Sequence, residues 1–352
     1  MRLDRVDIHG EHEARERTWE VVRAAFAERE PIPRRMRRLA PALAFAVLAA
    51  ALAAAFTPPG RAVVDKVREA IGVETAEQAL FSLPAEGRLL VVSDAGAWAV
   101  SQDGSKRRLG DYDEAGCSPF GRFLLGSRPN ELAALETDGD VRWKLARPQV
   151  HSSDWGGITT DTRIAYISRG IVHVVAGDGT GDRAVVAGHA VAWRPRSEHV
   201  LAVATADGVS LIGGAGWTAK VRATTLEWSG DGKRLLASTP RGYVVLSASG
   251  KVLKRGEAAE AAFGPRGSRL ASVRPGSELR LDGKLRFQGT GTFRDLTWSP
   301  DGRWLAFVWP DADQVVFVRA SGPRRIEAAS NLTAQFEGTT APRVAAWCPA
   351  PR

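Results

Sequence analysis

A ten-residue pattern returns at near-constant intervals along most of the chain, and this constrains the fold more than any other feature. Trp298-Ser299-Pro300-Asp301-Gly302-Arg303-Trp304-Leu305-Ala306-Phe307 is closely matched by Trp228-Ser229-Gly230-Asp231-Gly232-Lys233-Arg234-Leu235-Leu236-Ala237. Weaker copies begin at Phe263, Trp193 and Cys117, and a degenerate one at Trp155. The anchors at 117, 155, 193, 228, 263 and 298 are therefore 38, 38, 35, 35 and 35 residues apart. A period of this size marks a solenoid or a propeller. The units carry short alternating apolar runs, such as Arg303–Val308, broken by Gly and Asp, and none has a long helical face. Strands joined by tight turns at this period predict four-stranded blades.

A second ladder runs in phase with the first. Asp103-Gly104, Asp138-Gly139, Asp178-Gly179, Ser249-Gly250, Asp282-Gly283 and Ser321-Gly322 fall 20–24 residues after an anchor or the equivalent start, and Gly214-Ala215-Gly216 takes that place in the unit of Trp193. Such pairs suit two-residue hairpin turns because Gly accepts positive φ. The two ends of the array are complementary halves. Arg343–Pro349 is the first half of a repeat, and Leu83–Val92 is a second half with no anchor strand before it. Joined, they close a ring by one strand plus three. The expected fold is all-β, a seven-bladed β-propeller over residues 83–349, with anchors Cys117, Trp155, Trp193, Trp228, Phe263, Trp298 and Trp347. Closure removes the open sheet edges that invite aggregation.

The W-S-P-D-G-[KR]-x-[LI]-A pattern resembles the TolB-type, WD-like propeller repeat of bacterial envelope proteins. The resemblance covers 83–349, and it implies a binding role in the cell envelope.

The first 82 residues lack the repeat. Leu39–Phe56 contains no charged side chain, and the charge-free window runs on to Gly60. A helix of that length spans roughly 27–33 Å, a hydrocarbon core. Residues 39–57 are therefore expected to be a transmembrane helix, an uncleaved signal anchor rather than a cleaved leader, because 38 residues precede it. Arg34, Arg35, Arg37 and Arg38 crowd its N-terminal flank, which predicts residues 1–38 inside the cytoplasm and the propeller outside. Residues 58–82 read as a linker. Within the cytoplasmic segment, 11–30 reads as a helix ended by Pro31, with Trp19, Val22 and Phe26 on one apolar stripe. That stripe needs the inner leaflet, another copy or a cytoplasmic regulatory protein to cover it. The layout is similar to membrane-bound anti-sigma factors, although the His/Cys zinc signature of one large class of them is absent.

Nothing in the sequence points to catalysis. The six His show no zincin spacing, no G-x-S-x-G elbow occurs, and two Cys are too few for thiolate metal sites. No catalytic, metal or cofactor residue is assigned. Asp231 and Asp301 fit turn caps better than ligands, and Gly177–Asp182 lacks the calcium-loop pattern. The recurring Trp side chains suit blade packing better than an aromatic cage. Of the net charge of +8, residues 1–38 carry ten Arg against eight Asp and Glu, and the remaining excess is spread thinly beyond residue 38, which argues against nucleic acid. The polar stretch 328–342 in the longest unit could contact ligand or be a plain insertion. Cys117 and Cys348, on first strands of neighbouring blades, are candidates for a disulfide across the closure point. Against it, they occupy adjacent rather than equivalent motif positions and so point to opposite sheet faces. The leading expectation is a membrane-tethered module binding a protein, peptide or glycan. A transmembrane regulator is the alternative, and a propeller enzyme comes third.

Overall fold

A computed structural model of the protein describes residues 82–351. The helices expected at 11–30 and 39–57, nearly all of the linker, and the Trp19, Val22, Phe26 stripe lie outside the described residues. Among the described residues no helix is long and apolar enough to cross a membrane.

Twenty-eight strands form seven antiparallel four-stranded sheets. Blade 1 holds β1 (Arg88–Ser93), β2 (Gly96–Val100) and β3 (Lys106–Gly110). Blade 2 is β4 (Glu114–Cys117), β5 (Phe123–Arg128), β6 (Glu131–Glu136) and β7 (Val141–Ala146). Blade 3 is β8 (Val150–Ile158), β9 (Asp161–Ser168), β10 (Ile171–Ala176) and β11 (Arg183–Ala187). Blade 4 follows as β12 (Ala190–Trp193), β13 (Leu201–Thr205), β14 (Gly208–Ile212) and β15 (Thr218–Ala219). Blade 5 comprises β16 (Thr225–Trp228), β17 (Arg234–Thr239), β18 (Gly242–Ser247) and β19 (Val252–Gly256). Blade 6 comprises β20 (Glu260–Phe263), β21 (Leu270–Arg274), β22 (Glu278–Leu281) and β23 (Lys284–Gln288). Blade 7 is β24 (Arg294–Trp298), β25 (Trp304–Trp309), β26 (Gln314–Arg319) and β27 (Ile326–Ser330), followed by a short helix α1 (Leu332–Gln335). The last strand, β28 (Arg343–Cys348), pairs with β1 and completes blade 1. The expected one-plus-three closure is therefore present. The seven first strands touch one another in a closed circuit, β28–β4–β8–β12–β16–β20–β24–β28.

The core lies between blades. Strand residues alternate faces, so each sheet sends one apolar set backward and the other forward. Trp298 pairs with Leu305 and Leu305 with Val318, and all three meet blade 6 residues Ala271, Leu279 and Phe287 in one cluster. Trp228 and Leu235 meet blade 4 in the same way. Burying such a side chain contributes about 2–3 kcal/mol, and the repeat applies this at successive boundaries.

Cys117 and Cys348 are joined by a disulfide, with Cα atoms 5.7 Å apart and 231 residues of chain between them. The alternation that argued against this bond is what permits it. Cys117 stands at the anchor position, which faces the preceding blade. Cys348 follows the anchor Trp347, so it faces the next blade. Opposite faces of neighbouring sheets are the faces that meet.

The 328–342 stretch belongs to the core at the same seam. Leu332 and Phe336 are 1% and 0% exposed and pack with Trp98, Val91 and Val100 of blade 1. Phe336 meets Trp98 edge-on at 6.0 Å.

Candidate functional site

Around the axis, carboxylates bridge the blades. Trp193 donates its backbone N–H to Asp154 Oδ2 at 2.6 Å, and Phe263 donates to Glu227 Oε1 at 3.1 Å. Asp295 and Leu296 donate to the two Glu260 oxygens at 2.9 and 2.8 Å. Val344 donates to Asp295 Oδ2 and Ser152 to Glu114 Oε1, both at 3.3 Å. Each acid sits on a first strand and each donor on the first strand of the next blade. Five of the seven boundaries are bridged in this way. The disulfide covers the boundary of blades 1 and 2. At blades 4 and 5, His189 Nε2 lies 2.8 Å from the Ala223 carbonyl, and Trp228 Nε1 donates to Ala192 at 3.2 Å.

Burial raises all four of the enclosed acids. Asp154 is pushed up to about 6, opposed by the Trp193 N–H, and Glu227 to about 8, with the Asp154 charge adding to burial. Glu260 and Asp295 are raised by burial too, against the backbone donors of Asp295 and Leu296 for the first and the Arg294 charge for the second. The ring is thus an acceptor set for backbone donors, and no group of three or more metal-ligating side chains occurs among the described residues.

The residues singled out from the sequence sit in the framework. Trp155, Trp193, Trp228, Phe263, Trp298 and Trp347 are each no more than 8% exposed, between blades. Asp231 accepts from Ser229 Oγ at 2.7 Å and from the Lys233 N–H at 3.1 Å; Asp301 repeats this with Ser299 and Arg303. Asp178 accepts from Thr180 N–H and Oγ1 at 3.0 and 2.7 Å, a hairpin-turn geometry.

The outer half of each blade boundary is a wedge that needs filling. Trp143 on β7 reaches blade 3, donates to the Gly177 carbonyl at 3.0 Å and covers Gly179. Trp217 does the same to blade 5, donating to Ala248 at 2.9 Å and covering Gly250. Phe287 on β23 packs on Phe293 and Trp309 of blade 7. Leu109 lies against Gly139, Val186 packs toward blade 4, and Phe336 fills the wedge of blades 7 and 1.

The boundary of blades 5 and 6 differs. Trp143 stands opposite Ala134, with a register shift after Ala134; Phe287 stands opposite Leu279, with a shift after Leu279. The matching residue of blade 5 is Lys254, opposite Val245, with a shift after Val245. Gly283, the counterpart of Gly179 and Gly250, has nothing over it within 4 Å of a Cβ position. On the facing side, Ser272 and Arg280 form the cross-strand pair where blade 7 has Phe307 and Val316. What remains is a cleft of about 550 Å³, floored by Tyr243, Val245, Phe263 and Leu270. Arg234, Lys254, Arg255, Arg274 and Arg280 line it against one carboxylate, Asp282. Asp282 is paired with Arg269 at 3.4 Å, and Arg280 with Glu278 at 2.8 Å. Arg234, Lys254, Arg255 and Arg274 make no salt bridge and no side-chain hydrogen bond with any described residue. No repeat or motif in the sequence marks this cleft. Glycine spacing does not mark it either: Trp143 and Phe287 lie four residues after Gly139 and Gly283, but Arg108 and Arg183 follow Gly104 and Gly179 at the same distance as Lys254 follows Gly250.

The fold is a seven-bladed β-propeller with four-stranded blades and WD40-like structural neighbours. No protein-family model matches the chain, and no curated relative does. Among solved structures, the C-terminal WD40 domain of Sif2 is 14% identical at a TM-score of 0.51, over 76% of this chain and 84% of that one. A functionally unknown protein from Desulfotomaculum acetoxidans is 11% identical at 0.53, over 70% and 99%. The apo form of AztD from Citrobacter koseri is 10% identical at 0.52, over 69% and 94%. At these identities the likeness shows the fold.

Proposed function

We propose that the chain is a membrane-tethered, extracytoplasmic propeller that binds a protein or peptide and has no catalytic role. The observation that carries this reading is the Cys117–Cys348 disulfide across the seam where the ring closes. Disulfides persist in oxidising compartments and are rare in the cytosol. The apolar Leu39–Phe56 run and the Arg34–Arg38 cluster support the same topology. So does the resemblance of the repeat to TolB-type envelope propellers. The binding role rests on the fold and on the exposed, unfilled blade boundary.

Topology is tested in intact cells carrying the full chain. Cysteines are alkylated before and after reduction, and an impermeant protease is added from outside. Cys117 and Cys348 should become alkylated only after reduction, and the propeller should be degraded from outside while residues 1–38 stay protected. Free thiols together with a protected propeller would sink the reading.

The stripe Trp19, Val22, Phe26 supports a second reading, in which the propeller reports to a cytoplasmic regulatory protein through residues 11–30. Deleting residues 1–30, or Trp19→Ala or Phe26→Ala, abolishes cellular function on that reading. On the first reading these changes leave it intact.

A further inference from the structure

We infer that the cleft between blades 5 and 6 binds an extended acidic peptide segment whose one large apolar side chain completes the unfilled wedge. The inference rests on the reading of the propeller as a binding module and names the class of its partner.

Two independent features define the ligand. The first is shape. Six of the seven outer wedges hold an apolar side chain supplied by the chain itself, and two of these are Trp whose indole N–H caps a carbonyl of the next blade. At the seventh, Lys254 stands in register with Trp143 and Phe287, Leu253 lines the opening but stays 49% exposed, and Gly283 is left bare. An incoming Trp, Phe or Leu side chain would rest on Phe263, Leu270 and Val245 as Trp143 rests on blade 3. Burying an aromatic side chain in such a place is a characteristic way for an interface to anchor.

The second feature is charge. Arg234 and Lys254 from blade 5 and Arg274 from blade 6 border the cleft outside any salt bridge, with the Arg234 charge acting on the Asp231 carboxylate at the turn before β17. Excess positive charge in a recess raises the local concentration of anionic groups and speeds their association. Carboxylates flanking the anchor would meet these side chains on both walls. A polyanion without an apolar group, such as an acidic glycan or a nucleic acid, would meet the charge and leave the apolar floor uncovered. The floor therefore favours a peptide.

The test uses the full-length protein in detergent and a fluorescent twelve-residue probe peptide of Asp and Glu with one central Trp. Anisotropy should report binding that weakens at least tenfold between about 50 and 300 mM salt, since exposed charges are screened over that range. The same peptide with Ala for Trp should bind at least tenfold more weakly. Lys254→Trp, which lets the chain fill its own wedge, should abolish binding and raise the melting temperature. Arg234→Ser with Arg274→Ser should weaken binding at least tenfold and leave the melting temperature unchanged. Equal binding of the Trp and Ala peptides, or tighter binding of heparin than of either, would overturn the peptide assignment in favour of a polyanion surface. Unchanged binding by Lys254→Trp would place the peptide elsewhere on the propeller, which removes the cleft and leaves the binding-module reading standing. Absence of binding to every probe would remove the cleft. The module reading is judged apart from it, by photo-crosslinking in cells from positions on the other blades.

Discussion

Glu227 reaches across a blade boundary: its Oε1 accepts the backbone N–H of Phe263, 36 residues further along the chain, at 3.1 Å. Burial, reinforced by the Asp154 charge, pushes the Glu227 carboxyl up to about 8, and burial pushes Asp154 to about 6. A protonated Glu227 still accepts that hydrogen bond. An ionised one sits in surroundings that disfavour its charge.

The propeller should therefore lose stability as pH rises from about 5 to 8. The folded chain holds protons on Glu227 and Asp154 that the unfolded chain, with carboxyls near 4, has already released. Fewer protons on the unfolded state means that unfolding free energy falls with pH across this window. The drop should be about 1–3 kcal/mol, less than full burial would give because both side chains keep some solvent contact. Glu227→Gln keeps an acceptor for Phe263 and carries no charge. It should flatten the slope and exceed the native chain in stability at pH 8, as read by urea denaturation at pH 5, 6.5 and 8. A native chain more stable at pH 8 than at pH 5 would contradict this assignment.

Reducing the disulfide should loosen the ring at one place. The bond spans 231 residues, and constraint of the unfolded chain on that scale is worth about 2–5 kcal/mol. Cys117→Ser and Cys348→Ser should each cost this much, and so should the double variant, because all three remove the same bond. Hydrogen exchange should then quicken first in β28 and β4. Additive costs for the two single changes would mean that the cysteines contribute through packing instead.

Phe336→Ala should destabilise by about 3–5 kcal/mol, since the ring is fully buried against Trp98 in the wedge of blades 7 and 1. Thr339→Ala should lower stability by less, by removing the exposed hydroxyl that donates to Asp94 at 2.6 Å. Melting curves of the two variants separate a structural 328–342 stretch from a ligand loop. A ligand loop would tolerate both changes and lose only binding.

The architecture was legible because the repeat acts within a blade. Trp298-Ser299-Pro300-Asp301-Gly302 sets one strand, one turn and the start of the next, and the split halves at 83–92 and 343–349 reveal the seam. The features that act between blades were not. Asp154 and Glu227 precede their anchors by one residue, whereas Glu260 and Asp295 precede theirs by three, so the carboxylate ring has no common motif position. Its partners lie a whole blade away in sequence. The cleft escaped notice because a missing tryptophan leaves no mark: Lys254 looks like any exposed strand residue until register places it opposite Val245. The cysteine pair is visible in the sequence, but strand alternation within one sheet sets its two sulfurs apart, and only the facing of neighbouring sheets brings them together.

Gly230 puts the distinction between these two levels to a test. The other clear repeats carry Pro at this position, at Pro119, Pro195, Pro265 and Pro300, so Gly230→Pro restores the pattern. Substitutions toward a repeat consensus commonly stabilise by about 0.5–2 kcal/mol. The local turn would accept it, because Gly232 N–H donates to Ser229 at 2.7 Å just as Gly302 donates to Ser299 at 2.8 Å. The obstacle comes from the next blade. A Cβ on Gly230 would overlap the Pro265 carbonyl, a backbone group that cannot swing aside as a side chain can. Gly230→Pro and Gly230→Ala should therefore both destabilise, by about 1–3 kcal/mol, through the same collision. Pro300→Gly, at a position where the proline is accommodated, should also destabilise, by about 0.5–1 kcal/mol through greater freedom of the unfolded chain. Stabilisation by Gly230→Pro in guanidinium melts would mean that the blade 5–6 boundary yields at its inner end as well as at the open cleft.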